Sequence, residues 1–131
     1  MQFINIRLLI NDYKESVQFW KYVLKASPDY ELEEMGYAYF KTDSAGIELY
    51  KRDKFAATMG DPLLARQAQE LQTVLVFLVD NVDATYEQFV REGLNVVAKP
   101  QDRPEWNARS AHVYDPNGYL IEFYSPLSSE I

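Results

Sequence analysis

Hydrophobic and polar residues alternate along the start of the chain, then change period. Over residues 3–10, Ile4, Ile6, Leu8 and Ile10 share one face, and Asn5, Arg7 and Leu9 share the other. A period of two marks a strand, here with its first face beneath a helix and with Asn5 and Arg7 on the opposite surface. Over residues 12–25 the period becomes helical. Tyr13, Val17, Trp20 and Leu24 recur at spacings of four, three and four. Asp12 can cap this helix, Glu15 completes a capping-box pattern, and Pro28 follows its end. Residues 29–35 alternate and are acidic, which predicts an edge strand guarded by Glu31, Glu33 and Glu34. Residues 37–42 and 46–51 predict a hairpin around Asp43-Ser44-Ala45-Gly46, with Ile47 and Leu49 facing one way and Glu48 and Tyr50 the other.

Residues 52–70 read as a connector. Within it Asp61-Pro62 opens a short helix leading into an Ala, Leu and Gln-rich run. Residues 73–79 form a nearly continuous apolar strand. A second helix begins at Asp83, with Val82, Tyr86 and Phe89 on its core face and Gly93 as its stop. Residues 95–98 predict a strand, and residues 99–107 a loop that carries proline and Trp106. Residues 109–114 and 120–125 predict a final hairpin around Asp115-Pro116-Asn117-Gly118. Pro116 presets φ there, and Gly118 can take positive φ. Along the last strand Ile121 and Phe123 point one way, and Leu120, Glu122 and Tyr124 the other. A carboxylate amid aromatic residues is costly unless it binds something, so Glu122 is the first candidate functional residue.

The pattern occurs twice. Tyr13, Val17 and Trp20 have counterparts in Val82, Tyr86 and Phe89, each 69 residues on, and Asp12 corresponds to Asn81. Ile47-Glu48-Leu49-Tyr50 corresponds to Ile121-Glu122-Phe123-Tyr124, 74 residues on. The expected fold is α+β in one domain spanning residues 1–131: two βαβββ repeats forming paired half-open sheets around a cleft, helices outside. Repeat one covers about residues 1–52, the connector about 53–70, and repeat two about 71–126. Glu48 and Glu122 take equivalent places on the cleft-facing surface.

Composition narrows the partners. A length of 131 residues suits one domain. Ten tyrosines suit a cavity lining as well as a core. A net charge of −7 argues against nucleic acid and anionic membranes as partners. It is compatible with a cationic ligand, but many soluble proteins are acidic for solubility alone, and that is the favoured reading. The absence of cysteine excludes disulfides and thiolate metal sites. With no leader pattern and no apolar run near membrane-spanning length, the expectation is a soluble, cytoplasmic protein.

Asp115-Pro116-Asn117-Gly118 leading to Ile121-Glu122-Phe123 is similar to the closing D-P-x-G…E-[LF] signature of the vicinal oxygen chelate superfamily. That superfamily includes glyoxalase I, extradiol dioxygenases, fosfomycin-resistance enzymes and bleomycin-resistance proteins. The opening strand, Asn11-Asp12 and the stretch from Ser16 to Trp20 resemble its first βα unit, so the resemblance covers essentially the whole chain. In metal-dependent members, a His or Glu early in the first strand and a Glu in the fourth bind an ion with their second-half equivalents. By that correspondence the carboxylate positions fall on Glu48 and Glu122, and the first-strand positions on Asn5 and Val74. Asn and Val thus stand where imidazoles are expected. The resulting expectation is no cofactor. A divalent metal, if held, would lie at Glu48 and Glu122, with the Asn5 amide oxygen as a further hard donor. Arg7, on the face of Asn5, can instead pair with Glu48 or Glu122 and take over the ion's charge role.

Three readings follow. In the first, the chain resembles a bleomycin-resistance-type protein that binds a small organic molecule, an antibiotic among the candidates. Its ligand-binding residues would be Asn5, Arg7, Tyr39, Glu48, Tyr50, Trp106, His112, Glu122 and Tyr124. The second is a metal-dependent glyoxalase-like lyase or dioxygenase using Glu48 and Glu122, with His112 and Glu122 as catalytic candidates. The third is a regulatory or interaction domain. Each residue has a plainer alternative. His112, the one histidine, shares a face with Ser110 and Tyr114 and can be a general base, a replacement ligand or a hydrogen-bonded strand residue. Trp20 packs the core, whereas Trp106 covers a cleft or an interface. Tyr39, Tyr50 and Tyr124 line a cleft or pack a core. The resemblance also implies a homodimer.

Overall fold

The structure, a computed structural model, describes residues 1–66 and 73–128. It divides into two compact units, Met1–Gln69 and Glu70–Ile131. The Gln-rich continuation of the predicted connector, residues 67–70, lies outside the described residues.

The first unit runs β1 (Asn5–Ile10), α1 (Tyr13–Leu24), β2 (Tyr30–Leu32), β3 (Tyr37–Phe40), β4 (Gly46–Lys51) and α2 (Arg52–Met59). Its open sheet has the order β1-β4-β3-β2, with β1 parallel to β4 and the other pairs antiparallel. Leu8, Ile10, Ile47, Leu49, Ala38 and Phe40 are buried on one face of the sheet, and α1 contributes Val17, Phe19 and Trp20. Trp20 is wholly buried, as its place in the helical period predicts. The Asp12 carboxylate accepts from the Glu15 amide at 2.8 Å and caps α1.

Three predicted bounds in this unit are corrected. Phe3 and Ile4 are exposed and precede the strand, because β4, the neighbour of β1, starts opposite Asn5. The acidic segment is an edge strand for only three residues, after which Glu33–Met35 coils into a 3-10 turn closed by Gly36 at φ 64°. The connector begins with a helix, α2, that the polar pattern hid: Ala56 is its one buried residue. Gly60 closes it at φ 73°, and the Asp61-Pro62 signal opens the expected short helix, a 3-10 turn over Pro62–Ala65.

The second unit runs β5 (Val74–Leu78), α3 (Val82–Arg91), β6 (Asn95–Arg103), β7 (Ala108–Tyr114) and β8 (Leu120–Pro126). The order of its open sheet is β5-β8-β7-β6, with β5 parallel to β8. The βαβββ plan is therefore repeated. Asn81 caps α3 by accepting from the Ala84 amide at 3.0 Å, so the helix starts one residue earlier than Asp83. Phe89 packs on Phe123 with ring centroids 4.6 Å apart. In the closing turn the buried Asp115 carboxylate accepts from the amides of Asn117 and Tyr119, at 2.9 and 2.8 Å.

The predicted loop over residues 99–107 is overturned in its first half. β6 continues to Arg103, and only Pro104–Trp106 is a 3-10 turn. Pro100 misled the reading. Proline is tolerated because β6 is an edge strand and its register shifts between Ala98 and Gln101. The apolar run of β5 is not buried on both faces: Val74, Val76 and Leu78 stand outward at 42, 55 and 66 % exposure. Among the described residues no helix is long and apolar enough to cross a membrane.

Candidate functional site

In each unit the alternation of the fourth strand sets one glutamate on the face opposite the apolar core. In the first unit Glu48 lies between Arg7 on β1 and Tyr39 on β3. Arg7 forks onto it: Nε donates to Oε1 and Nη2 to Oε2, both at 3.2 Å. The Tyr37 hydroxyl donates to Oε2 as well. The guanidinium lies 5.6 Å from the ring centre of Tyr50 and 5.8 Å from that of Phe55. Tyr50 meets Tyr37 and Phe55 edge to face, each at 5.6 Å. Both oxygens of this buried carboxylate are thus engaged. The Tyr37 phenol is pushed well above its usual range, first by burial and then by its hydrogen bond to Glu48 and that carboxylate's charge. It therefore stays a hydrogen-bond donor.

Asn5 and Tyr39 are drawn elsewhere. A Cβ on Gly46 would meet Asn5 Oδ1 and Tyr39 Cε1 at 2.5 Å, so both side chains close over the bare glycine. Tyr37 and Phe55 were not among the predicted site residues. Tyr37 shares a strand face with Tyr39, which was a usable signal, whereas Phe55 lay inside the supposed connector.

In the second unit Glu122 lies between Val76 on β5 and His112 on β7. Val76 thus takes the place of Arg7, and His112 that of Tyr39. His112 Nε2 is 2.9 Å from Glu122 Oε1. A neutral ring protonated at Nε2 and an imidazolium both donate here. Nδ1 is buried and has no partner among the described residues. His112 is thus buried and held against Glu122. Glu122 Oε2 has no partner among the described residues, and the side chain keeps 17 % exposure.

Glu122 is one of the residues lining an open hollow of about 330 Å³, with Val76, Trp106, Ala108 and Tyr124. Trp106 is 53 % exposed. Its ring carries the Arg103 guanidinium at 5.3 Å, and Arg103 Nε donates to the buried Ser110 hydroxyl at 3.3 Å. Arg103 was missed because it fell in the predicted loop. On the sheet's other face Arg109 clasps Asp83 at 2.7 Å and Asp102 at 2.9 Å. The hydrogen bond from Arg109 holds the Asp83 carboxyl below its usual range. The structure thus gathers Arg7, Glu48 and Tyr50 in the first unit, and Trp106, His112, Glu122 and Tyr124 in the second.

Glu48 and Glu122 differ as candidate metal ligands. Both Glu48 oxygens are bound by a guanidinium and a phenol, and Glu122 has a valine on one side. Among the described residues no three His, Asp or Glu side chains come together as a metal-ligand group.

A family model described as the Glyoxalase/Bleomycin resistance protein/Dioxygenase superfamily matches residues 2–123. The uncharacterized protein YraH of Bacillus subtilis (strain 168) is 38 % identical over 128 residues, which is 97 % of this chain and 100 % of that one. Among solved structures, a glyoxalase/bleomycin resistance protein/dioxygenase from Nocardioides superposes with a TM-score of 0.82 at 23 % identity, covering 98 % of this chain and 85 % of that one. A glyoxalase-related enzyme from Fulvimarina pelagi gives a TM-score of 0.78 at 18 % identity, covering 94 % and 86 %. These two structures bear on the fold alone. The repeated βαβββ unit, the closing Asp115 turn and the family match together show that this chain belongs to the Glyoxalase/Bleomycin resistance protein/Dioxygenase superfamily.

Proposed function

We propose that the protein binds a small organic molecule in the hollow of its second unit, with Glu122 as the anchor. One observation carries this reading: His112 holds one Glu122 oxygen, the other has no partner among the described residues, and Glu122 lines a hollow with Val76, Trp106 and Tyr124. A half-buried carboxylate oxygen without a protein donor gains most from a ligand N–H or cation. The aromatic walls favour a flat body, which is the general pattern of small-molecule sites. A flat molecule with a protonated nitrogen meets both demands, and cationic antibiotics of that shape are candidates. The bound state of Glu48 weighs against a metal-dependent lyase or dioxygenase, in which it would be a ligand.

Benzylamine is the simplest probe. Calorimetry should show it binding the wild-type protein, with quenching of Trp106 emission. Glu122→Gln should lower its affinity about tenfold, the loss of one charge-assisted hydrogen bond. Unchanged binding in Glu122→Gln, or no binding by the wild type, would overturn the proposal.

A further inference from the structure

We infer that the ligand of this hollow carries an anionic group as well as a donor nitrogen, and that Arg103 receives the anion. The inference rests on the preceding reading of Glu122 and adds the second pole of the site. Three arginines show where a guanidinium normally goes in this acidic chain. Arg7 forks onto Glu48, Arg109 clasps Asp83 and Asp102, and Arg52 donates to Asn11 and to the carbonyls of Leu9 and Arg66. Arg103 differs. It is half-buried, yet its contacts among the described residues are the Ser110 hydroxyl and the Trp106 ring. Only Nε is used, so both terminal nitrogens keep their donors. Its sequence neighbour Asp102 is spent on Arg109.

The strand register places this cation relative to the carboxylate. Arg103 pairs with Ala108, a lining residue of the hollow, and reaches Ser110 on the same face of β7. His112 is the direct cross-strand partner of Glu122, so Ser110 is its diagonal neighbour. Diagonal neighbours lie about 7–8 Å apart. Trp106, with Arg103 on its ring, is part of the wall of the hollow. A carboxylate on the lining of the hollow and a guanidinium stacked on its Trp106 wall match an aromatic zwitterion. The terminal nitrogens of Arg103 present two parallel donors suited to a carboxylate.

The test uses 4-(aminomethyl)benzoate, which carries both groups, against benzylamine and benzoate, which carry one each. Calorimetry gives the affinities. Quenching of Trp106 reports entry to the hollow, since Trp20, the chain's other tryptophan, is wholly buried. The zwitterion should bind at least tenfold tighter than benzylamine. Arg103→Gln should erase that advantage while leaving benzylamine affinity within twofold, and Arg103→Lys should restore part of it. Benzylamine binding that gains nothing from the added carboxylate would overturn this inference and leave the Glu122 reading standing. Equal loss of both probes in Arg103→Gln would assign Arg103 to holding Trp106 in place, which also overturns it. Absence of binding by all three probes would sink both readings.

Discussion

The two units share one plan and use the same residue in opposite ways. In each, a glutamate sits at mid-strand between the first and third strands of its βαβββ repeat. Glu48 has Arg7 on one flank and a Tyr37 hydroxyl on it, and both oxygens are engaged within the protein. Glu122 has Val76 where Arg7 would be, and among the described residues His112 alone as a partner. The fold sets where the carboxylate stands; its cross-strand neighbour, Arg7 or Val76, decides whether an ion pair forms there. A repeat can therefore keep its architecture while its two halves surround the same residue differently.

The most damaging change to this contrast is Arg7→Met. It leaves a carboxylate at 9 % side-chain exposure without its cation. The expected loss is about 2–3 kcal/mol in urea unfolding, below the range for fully buried pairs because Arg7 itself is half exposed. Adding Glu48→Leu should recover most of it. Glu122→Gln should cost less than about 1 kcal/mol by the same measurement. Equal costs at the two glutamates would erase the distinction.

The next test converts one unit toward the other. Val76 is exposed and directly opposite Glu122, so Val76→Arg should install the ion pair of the first unit. Benzylamine affinity should fall at least tenfold by calorimetry, with an unchanged circular dichroism spectrum. Retained affinity would show that the cross-strand neighbour does not decide the role of the glutamate.

A smaller effect is expected at Tyr37. Tyr37→Phe should cost about 1 kcal/mol for the lost hydrogen bond. The phenol is raised in the folded state, so its contribution is complete below the unfolded value near pH 10 and is lost as pH rises above it. Absorbance at about 295 nm should show wild-type phenols that ionise late, Tyr13 and Tyr37 among them, and one fewer in the variant. The smallest effect belongs to Asp83→Asn on the exposed clasp. Asp83 is lowered in the folded state, so its contribution is present above its unfolded value and fades as pH falls through the folded one. Salt should screen the difference between variant and wild type.

Much of this was legible in the residues. Period-two and period-3.6 patterns, repeated at a fixed offset, expose both βαβββ units because each element must bury one face. The same alternation puts Arg7 and Glu48 on one face, and parallel pairing then brings a long guanidinium to a short acid. What escaped notice was governed by weaker signals. Helix α2 buries only Ala56 and so has little amphipathic period to read. Pro100 read as a loop because an edge strand and a register shift, which excuse a proline, are tertiary facts. Arg103 was hidden with it. The contrast between Arg7 and Val76 was present at the offset of 69 residues, but its meaning depends on the register that sets each opposite a glutamate.

Pro100 has one more implication. An outer strand with regular free amides invites another strand to zip on, and sheets grow into aggregates that way. On β6 the ring removes an amide midway, and the slipped register nearby breaks the even spacing a newcomer would need. The residue that disguised the strand also blunts that edge as a template for polymerisation.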